Sequence, residues 1–248
     1  MRYIVEISFD GSAYHGWQVQ PNANSVQGHI EETLAIFLQE KVSIMGCGRT
    51  DTGVHSKQFF FHFETEKDVF NLCFRMNQML SPHVAFTAYW TCPDDFHVRF
   101  DARTRRYVYK IHRQKDPFLN GRSYLYKQEL NIDLMNQACT WLLSQDEFGA
   151  FCKANSDNKT NICKLSECVW IEKADQLIFS IKADRFLRNM VRAIVGTTLE
   201  VGLGRNTLEE FKAIVNSNNR SAAGVSVPAH GLYLEKVDYD QTSWKLIG

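Results

Sequence analysis

The residue with the clearest chemical potential is Asp51, a carboxylate in the middle of the glycine-rich segment GCGRTDTGVHS. Glycine tolerates positive φ and lets another backbone or a ligand approach closely, so this segment can fold sharply. A short β-branched and apolar run precedes it, and the aromatic run KQFFFHFE follows it. Both runs predict strands, which places Asp51 in a strand-to-strand connection. There it is either a turn former that bonds its own backbone or an acid placed for catalysis.

Cys47 and His55 flank Asp51 and provide a second chemical hypothesis, a metal site of a metal-dependent hydrolase. Thiolate, imidazole and carboxylate are all zinc ligands. However, the eight-residue separation of Cys47 from His55 matches no recognised ligand spacing, so the pattern disfavours this hypothesis.

Residues 99–115, RFDARTRRYVYKIHRQK, combine seven basic side chains and one acid with interleaved aromatics. One interpretation is the solvated face of a strand. The other is a surface that neutralises phosphates and stacks bases of a nucleic acid. The distribution of charge keeps the second interpretation open although the net charge is zero, because residues 1–98 hold six Lys or Arg against eleven Asp or Glu and residues 99–248 hold twenty-two against seventeen.

Composition favours a globular cytoplasmic protein. The seven cysteines are odd in number and form no C-x-x-C pair, as expected in a reducing compartment. The start, MRYIVEISFD, lacks the basic and apolar regions of a secretory signal, and no window is long and apolar enough to cross a bilayer. We therefore expect no membrane partner.

The order of predicted elements indicates a duplicated α+β fold. Residues 1–98 read as strand, amphipathic helix with Ser25 as its N-cap, two strands around Asp51, helix and strand. Residues 99–248 repeat that order, with an additional helix over 207–216 before the last strand at 231–239. Each half is a β-α-β-β-α-β unit, the ferredoxin-like arrangement. We predict one such half at 1–98, carrying the Asp51 loop, and one at 99–248, with mostly antiparallel sheets and a central cleft.

Six motifs in one collinear register resemble a known family. These are SFDGSAYHGWQVQP, SVQGHIEETL, GRTDTGVH, FHVRFDARTRRYVY, FLRNMVRAIVG and GLYLEKVDY. Together they span nearly the whole chain and are similar to the tRNA pseudouridine synthases of the TruA type. The resemblance implies a pseudouridine synthase fold of two ferredoxin-like halves and isomerisation of uridine to pseudouridine at positions 38, 39 and 40 of the tRNA anticodon stem-loop. It also implies a homodimer that needs neither cofactor nor metal.

The resemblance assigns roles to individual residues. It makes Asp51 the essential carboxylate, acting either as a nucleophile on the ribose or as a base. It makes Arg49 the arginine that helps to extrude the uridine and occupies its place. It makes Tyr107 the tyrosine that contacts the extruded base. Tyr109 lies on the same side of a strand as Tyr107, so an exchange of these two tyrosines stays open.

A basic partner for Asp51 is expected in FLRNMVRAIVG, because a nearby guanidinium keeps a partly buried carboxylate ionised. Arg188 and Arg192 are four residues apart and would share one helical face, and Arg192 matches the family's MVR motif. Thr52 and Val98 depart from the family pattern without touching a proposed role. The remaining alternative is a non-catalytic RNA-binding module, which would gain nothing from the carboxylate of Asp51 in a phosphate-binding surface.

Overall fold

The computed structural model describes residues 1–153, 156 and 158–248. These residues form two compact units. The first unit comprises Met1–Arg103 with Tyr233–Gly248, and the second comprises Thr104–Leu232. Five α-helices and mostly antiparallel strands among the described residues confirm the predicted α+β class. No helix in this part of the chain is long and apolar enough to span a membrane.

The first unit contains the predicted β-α-β-β-α-β order. Its elements are β1 (Arg2–Phe9), α1 (Val26–Leu38), β2 (Met45–Gly46), β3 (His55–Glu64), α2 (Leu72–Met79) and β4 (Val84–Thr91). Strand β1 lies between β3 and β4 and is antiparallel to both, while β2 pairs with β3. Helix α1 begins as predicted, since the Ser25 hydroxyl oxygen accepts the Gly28 N–H at 3.1 Å.

The second unit has a central antiparallel ribbon with helices packed on it. Its elements are β5 (Thr104–His112), β6 (Tyr124–Leu125), α3 (Ile132–Leu142), β7 (Leu165–Lys173), β8 (Gln176–Ala183), α4 (Met190–Gly202) and α5 (Leu208–Asn216). Strand β8 pairs antiparallel with β5 and with β7, and β6 is a short parallel addition to β5. The additional helix α5 starts with a capping box between Thr207 and Glu210.

The last predicted strand, β9 (Leu232–Asp238), joins the first unit from Tyr233 onward, whereas the sequence suggested that it completes the second half. Its start pairs parallel with β3, with Tyr233 opposite His55 and Leu234 opposite Ser56. The Ser56 hydroxyl also donates to the Leu234 carbonyl at 3.3 Å. A further strand, β10 (Lys245–Leu246), pairs with β4 and was not predicted.

Strand β3 anchors the candidate loop because it is buried on both faces. Phe59 and Phe61 pack against Trp17 on one face, and Phe60 packs against Trp244 on the other. All three phenylalanines are fully buried. Burial of three aromatic side chains contributes several kcal/mol and fixes where β3 starts, directly after the loop that carries Asp51.

Candidate active site

The loop of residues 47–54 connects β2 to β3 and carries Asp51, as the sequence predicts. The Asp51 carbonyl accepts the Val54 N–H at 3.1 Å, which closes a tight turn. Gly53 occupies the third position of this turn with φ 78°, a conformation that a side chain would strain. The hydrogen bond that closes this turn uses the backbone of Asp51 and not its carboxylate, and the residue is half-buried.

Two glycines outside the loop hold its backbone at very short range. A Cβ on Gly16 would lie 2.4 Å from the Thr50 carbonyl oxygen, and a Cβ on Gly11 would lie 2.0 Å from the Val54 carbonyl oxygen. The Trp17 N–H donates to the same Thr50 carbonyl at 3.3 Å. Both ends of the loop segment around Asp51 therefore rest on backbone where no side chain fits.

His55 secures the end of the loop and is buried. The Gly11 N–H donates to its Nδ1 at 3.2 Å, the Asp10 carboxylate lies 3.0 Å from the same atom, and its ring stacks on Tyr233 with centroids 4.7 Å apart. Burial disfavours the ionised form of Asp10, but hydrogen bonds from Ser12 and the nearby imidazoles outweigh it and lower the Asp10 pKa. These contacts give His55 a structural function in the first unit.

Cys47 is also engaged in packing. Its Sγ accepts the Phe60 N–H at 3.5 Å, and its own N–H donates to the Phe60 carbonyl at 2.8 Å. Across residues 1–153, 156 and 158–248, no group of three His, Cys, Asp or Glu side chains is arranged to hold a metal ion. The structure therefore does not assemble Cys47, Asp51 and His55 into a metal centre.

Arg49 lies in the same loop as Asp51, two residues before it, and its side chain is exposed. The structure thus places these two predicted site residues on one short, firmly anchored segment. The sequence patterns did not indicate a functional role for the residues that support the loop, Asp10, Gly11 and Gly16. The available signal was their position in SFDGSAYHGWQVQP, a motif that contributed to the family resemblance without an assigned structural purpose.

The two candidate tyrosines on β5 differ in exposure. Tyr109 is fully buried and its hydroxyl donates to the Pro228 carbonyl at 2.8 Å, and burial raises the Tyr109 pKa. Tyr107 is half-buried, lies opposite Ile181 of β8, and meets Phe186 edge-on with ring centroids 5.1 Å apart. Of the two, Tyr107 retains accessible ring surface, whereas Tyr109 belongs to the core of the second unit.

Arg192 lies in the first turn of α4, where its Nε donates to the Val227 carbonyl at 2.8 Å. The Val227 N–H in turn donates to the Arg192 carbonyl at 3.3 Å. The prediction that Arg188 shares a helical face with Arg192 is wrong. The helix begins only at Met190, because Asn189 adopts a left-handed conformation with φ 66° that interrupts the helical path, and Arg188 is an exposed residue before it.

Several members of the basic segment already have partners within their own unit. Arg106 forms an ion pair with Glu167 at 2.8 Å, and Arg105 donates to the Asp184 carbonyl at 2.8 Å. In the first unit, Arg103 pairs with Asp240 at 2.6 Å. The segment is therefore partly neutralised, and fewer of its charges are available to phosphates than the sequence suggests.

Comparisons with known proteins identify relatives over nearly the full chain. The family model described as tRNA pseudouridine synthase matches residues 138–240. The chain is 41% identical over 243 residues to tRNA pseudouridine synthase A of Parabacteroides distasonis, covering 97% of this chain and 96% of that protein. It is 41% identical to the Porphyromonas gingivalis protein of the same name, covering 96% and 97%, and 35% identical to that of Bacillus subtilis, covering 97% and 100%.

Proposed function

This chain belongs to the tRNA pseudouridine synthase A family, and we propose that it isomerises uridine to pseudouridine at positions 38, 39 and 40 of the tRNA anticodon stem-loop. The observation that carries the proposal is the anchored loop that presents Asp51. A half-buried carboxylate on a segment held by backbone contacts to Gly11 and Gly16 is pre-organised for attack on a bound sugar. The enzyme class is an isomerase that acts on tRNA.

The chemistry requires one carboxylate. The bond between N1 of uracil and C1′ of ribose breaks, the base turns, and a bond between C5 and C1′ forms with loss of the C5 proton. Asp51 can attack C1′ to form a covalent glycosyl intermediate, or it can remove the 2′ proton to form a glycal. Hydrolytic glycosidases need a second carboxylate to activate water. Asp51 is the sole acid between Glu40 and Glu64 in the sequence, which suits a reaction that retains the base.

Three further residues complete the proposed site. Extrusion of a uridine costs a few kcal/mol of base stacking. The planar guanidinium of Arg49, which is exposed on the Asp51 loop, would occupy the vacated space and restore part of that stacking. Tyr107 stacks on the extruded base through its accessible ring surface. Arg192 is the proposed basic partner of Asp51, and its Nε–H is already bonded to the Val227 carbonyl.

The proposed substrate is the anticodon arm of tRNA. Basic side chains of residues 99–115 would neutralise phosphates of the tRNA. Those that already pair with acids of the protein, Arg103 and Arg106, would contribute less. We propose that the active form is a cytoplasmic homodimer, in line with the family resemblance, and that no cofactor or metal takes part.

The test uses unmodified tRNA with tritium at C5 of uridine, because only formation of the C5–C1′ bond releases that label. We expect the wild-type protein to release tritium. Asp51→Asn should release none above background while it binds tRNA within about tenfold of wild type, since the substitution removes only the ionised oxygen. Asp175→Asn, at an exposed acid, is the matched control and should keep full activity.

Two outcomes would contradict the proposal. Turnover near the wild-type rate by a clean Asp51→Asn preparation would remove Asp51 from the chemistry. A wild-type protein that binds tRNA tightly but releases no tritium would favour the alternative, a non-catalytic RNA-binding module.

A further inference from the structure

Residues 220–228, here called the strap, lie directly on helix α4 in the second unit. A Cβ on Gly196 would lie 1.9 Å from the Val225 carbonyl oxygen, and a Cβ on Gly224 would lie 3.0 Å from Thr197 Cα. The Gly224 N–H donates to the Thr197 hydroxyl oxygen at 3.0 Å. Glycines on both sides therefore allow a backbone-to-backbone contact that fixes the strap against the helix.

A hydrogen-bond network centred on Ser226 ties the strap to the start of α4. The Ser226 hydroxyl oxygen accepts from Asn189 Nδ2 at 2.6 Å and from Arg220 Nη2 at 2.7 Å. Arg220 Nη1 donates to the carbonyls of Ala223 and Gly224, at 3.4 and 3.2 Å. The Ser226 hydroxyl oxygen thus links Asn189, which precedes α4, to Arg220, the first residue of the strap.

Arg192 is bound by the residue that follows Ser226. Its Nε donates to the Val227 carbonyl at 2.8 Å and its own carbonyl accepts the Val227 N–H at 3.3 Å, so both its backbone and its side chain are fixed. The next carbonyl, that of Pro228, accepts the buried Tyr109 hydroxyl at 2.8 Å. The end of the strap therefore cannot shift without disturbing the core of the unit.

We propose that the strap orients the Arg192 guanidinium, with Ser226 and Arg220 as positioning residues for the pseudouridine synthase reaction. An arginine side chain has several rotatable bonds, and fixing Nε on a carbonyl sets the plane of the guanidinium before RNA binds. Loss of Ser226 Oγ removes the acceptor shared by Asn189 and Arg220, which loosens the strap locally beside the Val227 carbonyl although the Gly224 and Pro228 contacts remain. This inference rests on the proposed role of Arg192 in the reaction.

The first experiment compares Ser226→Ala with Ser221→Ala, a serine on the same strap whose side chain is exposed. Both are assayed for single-turnover tritium release and for tRNA affinity at a temperature where circular dichroism shows them folded. We expect Ser226→Ala to slow product formation about tenfold with the Kd for tRNA within about twofold of wild type, because misplacement of a catalytic group affects rate more than binding. Ser221→Ala should match wild type. A Ser226→Ala variant that only weakens binding would overturn the proposal.

A double-mutant cycle tests whether Ser226 acts through Arg192. Arg192→Lys keeps the positive charge but lacks the guanidinium, and with it the Nε–H that bonds to the Val227 carbonyl. In that background Ser226→Ala should change the single-turnover rate by less than about twofold. Effects that multiply fully would show that Ser226 acts independently of Arg192 and would overturn the proposal.

A spectroscopic measurement separates this inference from the proposed function. The NMR signal of the Arg192 Nε–H group, identified by its loss in Arg192→Lys, should shift and exchange faster with water in Ser226→Ala and stay unchanged in Ser221→Ala. An unchanged signal in Ser226→Ala overturns the inference whatever the activity. A wild type that releases no tritium contradicts the proposed function, while the signal still decides whether the strap orients Arg192.

Discussion

Replacing Gly16 by alanine tests whether the backbone contact beneath the Asp51 loop controls activity. Gly16 has φ 90°, and a Cβ there would lie 2.4 Å from the Thr50 carbonyl oxygen, the group directly before Asp51. The same carbonyl accepts the Trp17 N–H at 3.3 Å. The new methyl group must therefore displace the loop backbone, since no flexible side chain is available to move aside.

The expected magnitude follows from that geometry. Cβ contacts under 3.0 Å do not occur, so the Thr50 carbonyl must retreat by about 0.6 Å or more from its 2.4 Å position. A non-glycine residue in this backbone region costs about 1–3 kcal/mol, and overpacking costs about another 1–3 kcal/mol. We expect the free energy of unfolding of Gly16→Ala to fall by about 2–6 kcal/mol. Because a displacement near 1 Å in an active site costs on the order of a hundredfold in rate, the single-turnover rate should fall about ten- to a hundredfold.

Urea unfolding and single-turnover tritium release measure the two effects. Gly48→Ala is the control for stability, because a Cβ at Gly48 has no neighbour within 4 Å and its φ is not in the positive range. Its free energy of unfolding should stay within about 0.5 kcal/mol of wild type. A Gly16→Ala protein with wild-type stability and rate would refute the idea that this contact holds the Asp51 loop.

Three other predictions concern solution conditions. Affinity for tRNA should fall at least about tenfold between about 50 and about 200 mM salt if several phosphates meet the basic segment, and a flat response would favour the solvated-face interpretation. Burial, with smaller contributions from Arg2 and His97, lowers the pKa of His62 to about 4. The unfolded chain therefore binds a proton at this residue at a higher pH than the folded protein does, and the free energy of unfolding falls as the pH drops from about 6.5 to about 4. For this half-buried group the free energy of unfolding should fall by on the order of 1–2 kcal/mol over that range. The urea midpoints measured at pH 7 and at pH 4.5 should lie closer together in His62→Gln than in wild type, and should stay as far apart as in wild type in the exposed control His15→Gln. Equal acid sensitivity of both variants would contradict this prediction. Chelation, with polyamine supporting the tRNA fold, should leave tritium release unchanged, whereas a loss restored only by zinc would revive the metal hypothesis for Cys47 and His55.

Local patterns in the sequence were sufficient for the types and order of most elements. The first unit shows the predicted β-α-β-β-α-β order, Ser25 caps α1, and Asp51 lies between two strands. These features depend on hydrophobic periodicity, capping chemistry and glycine content within a few residues, which a single sequence contains. The resemblance to a family, carried by six short motifs, likewise led to Asp51, Arg49, Tyr107 and Arg192.

Contacts between distant parts of the chain decided the rest. Strand β9 pairs with β3, about 178 residues away, so no local pattern indicates which unit it joins. The left-handed conformation of Asn189, bound to Ser226, starts α4 four residues later than its apolar pattern suggests and removes Arg188 from the helix. Gly16 is one glycine among fourteen in the sequence, and its purpose emerges only where the Thr50 carbonyl lies against it. Sequence was sufficient to predict which residues carry the proposed chemistry, and tertiary packing determined how rigidly they are held, because rigidity comes from groups far apart in the chain that meet only after folding.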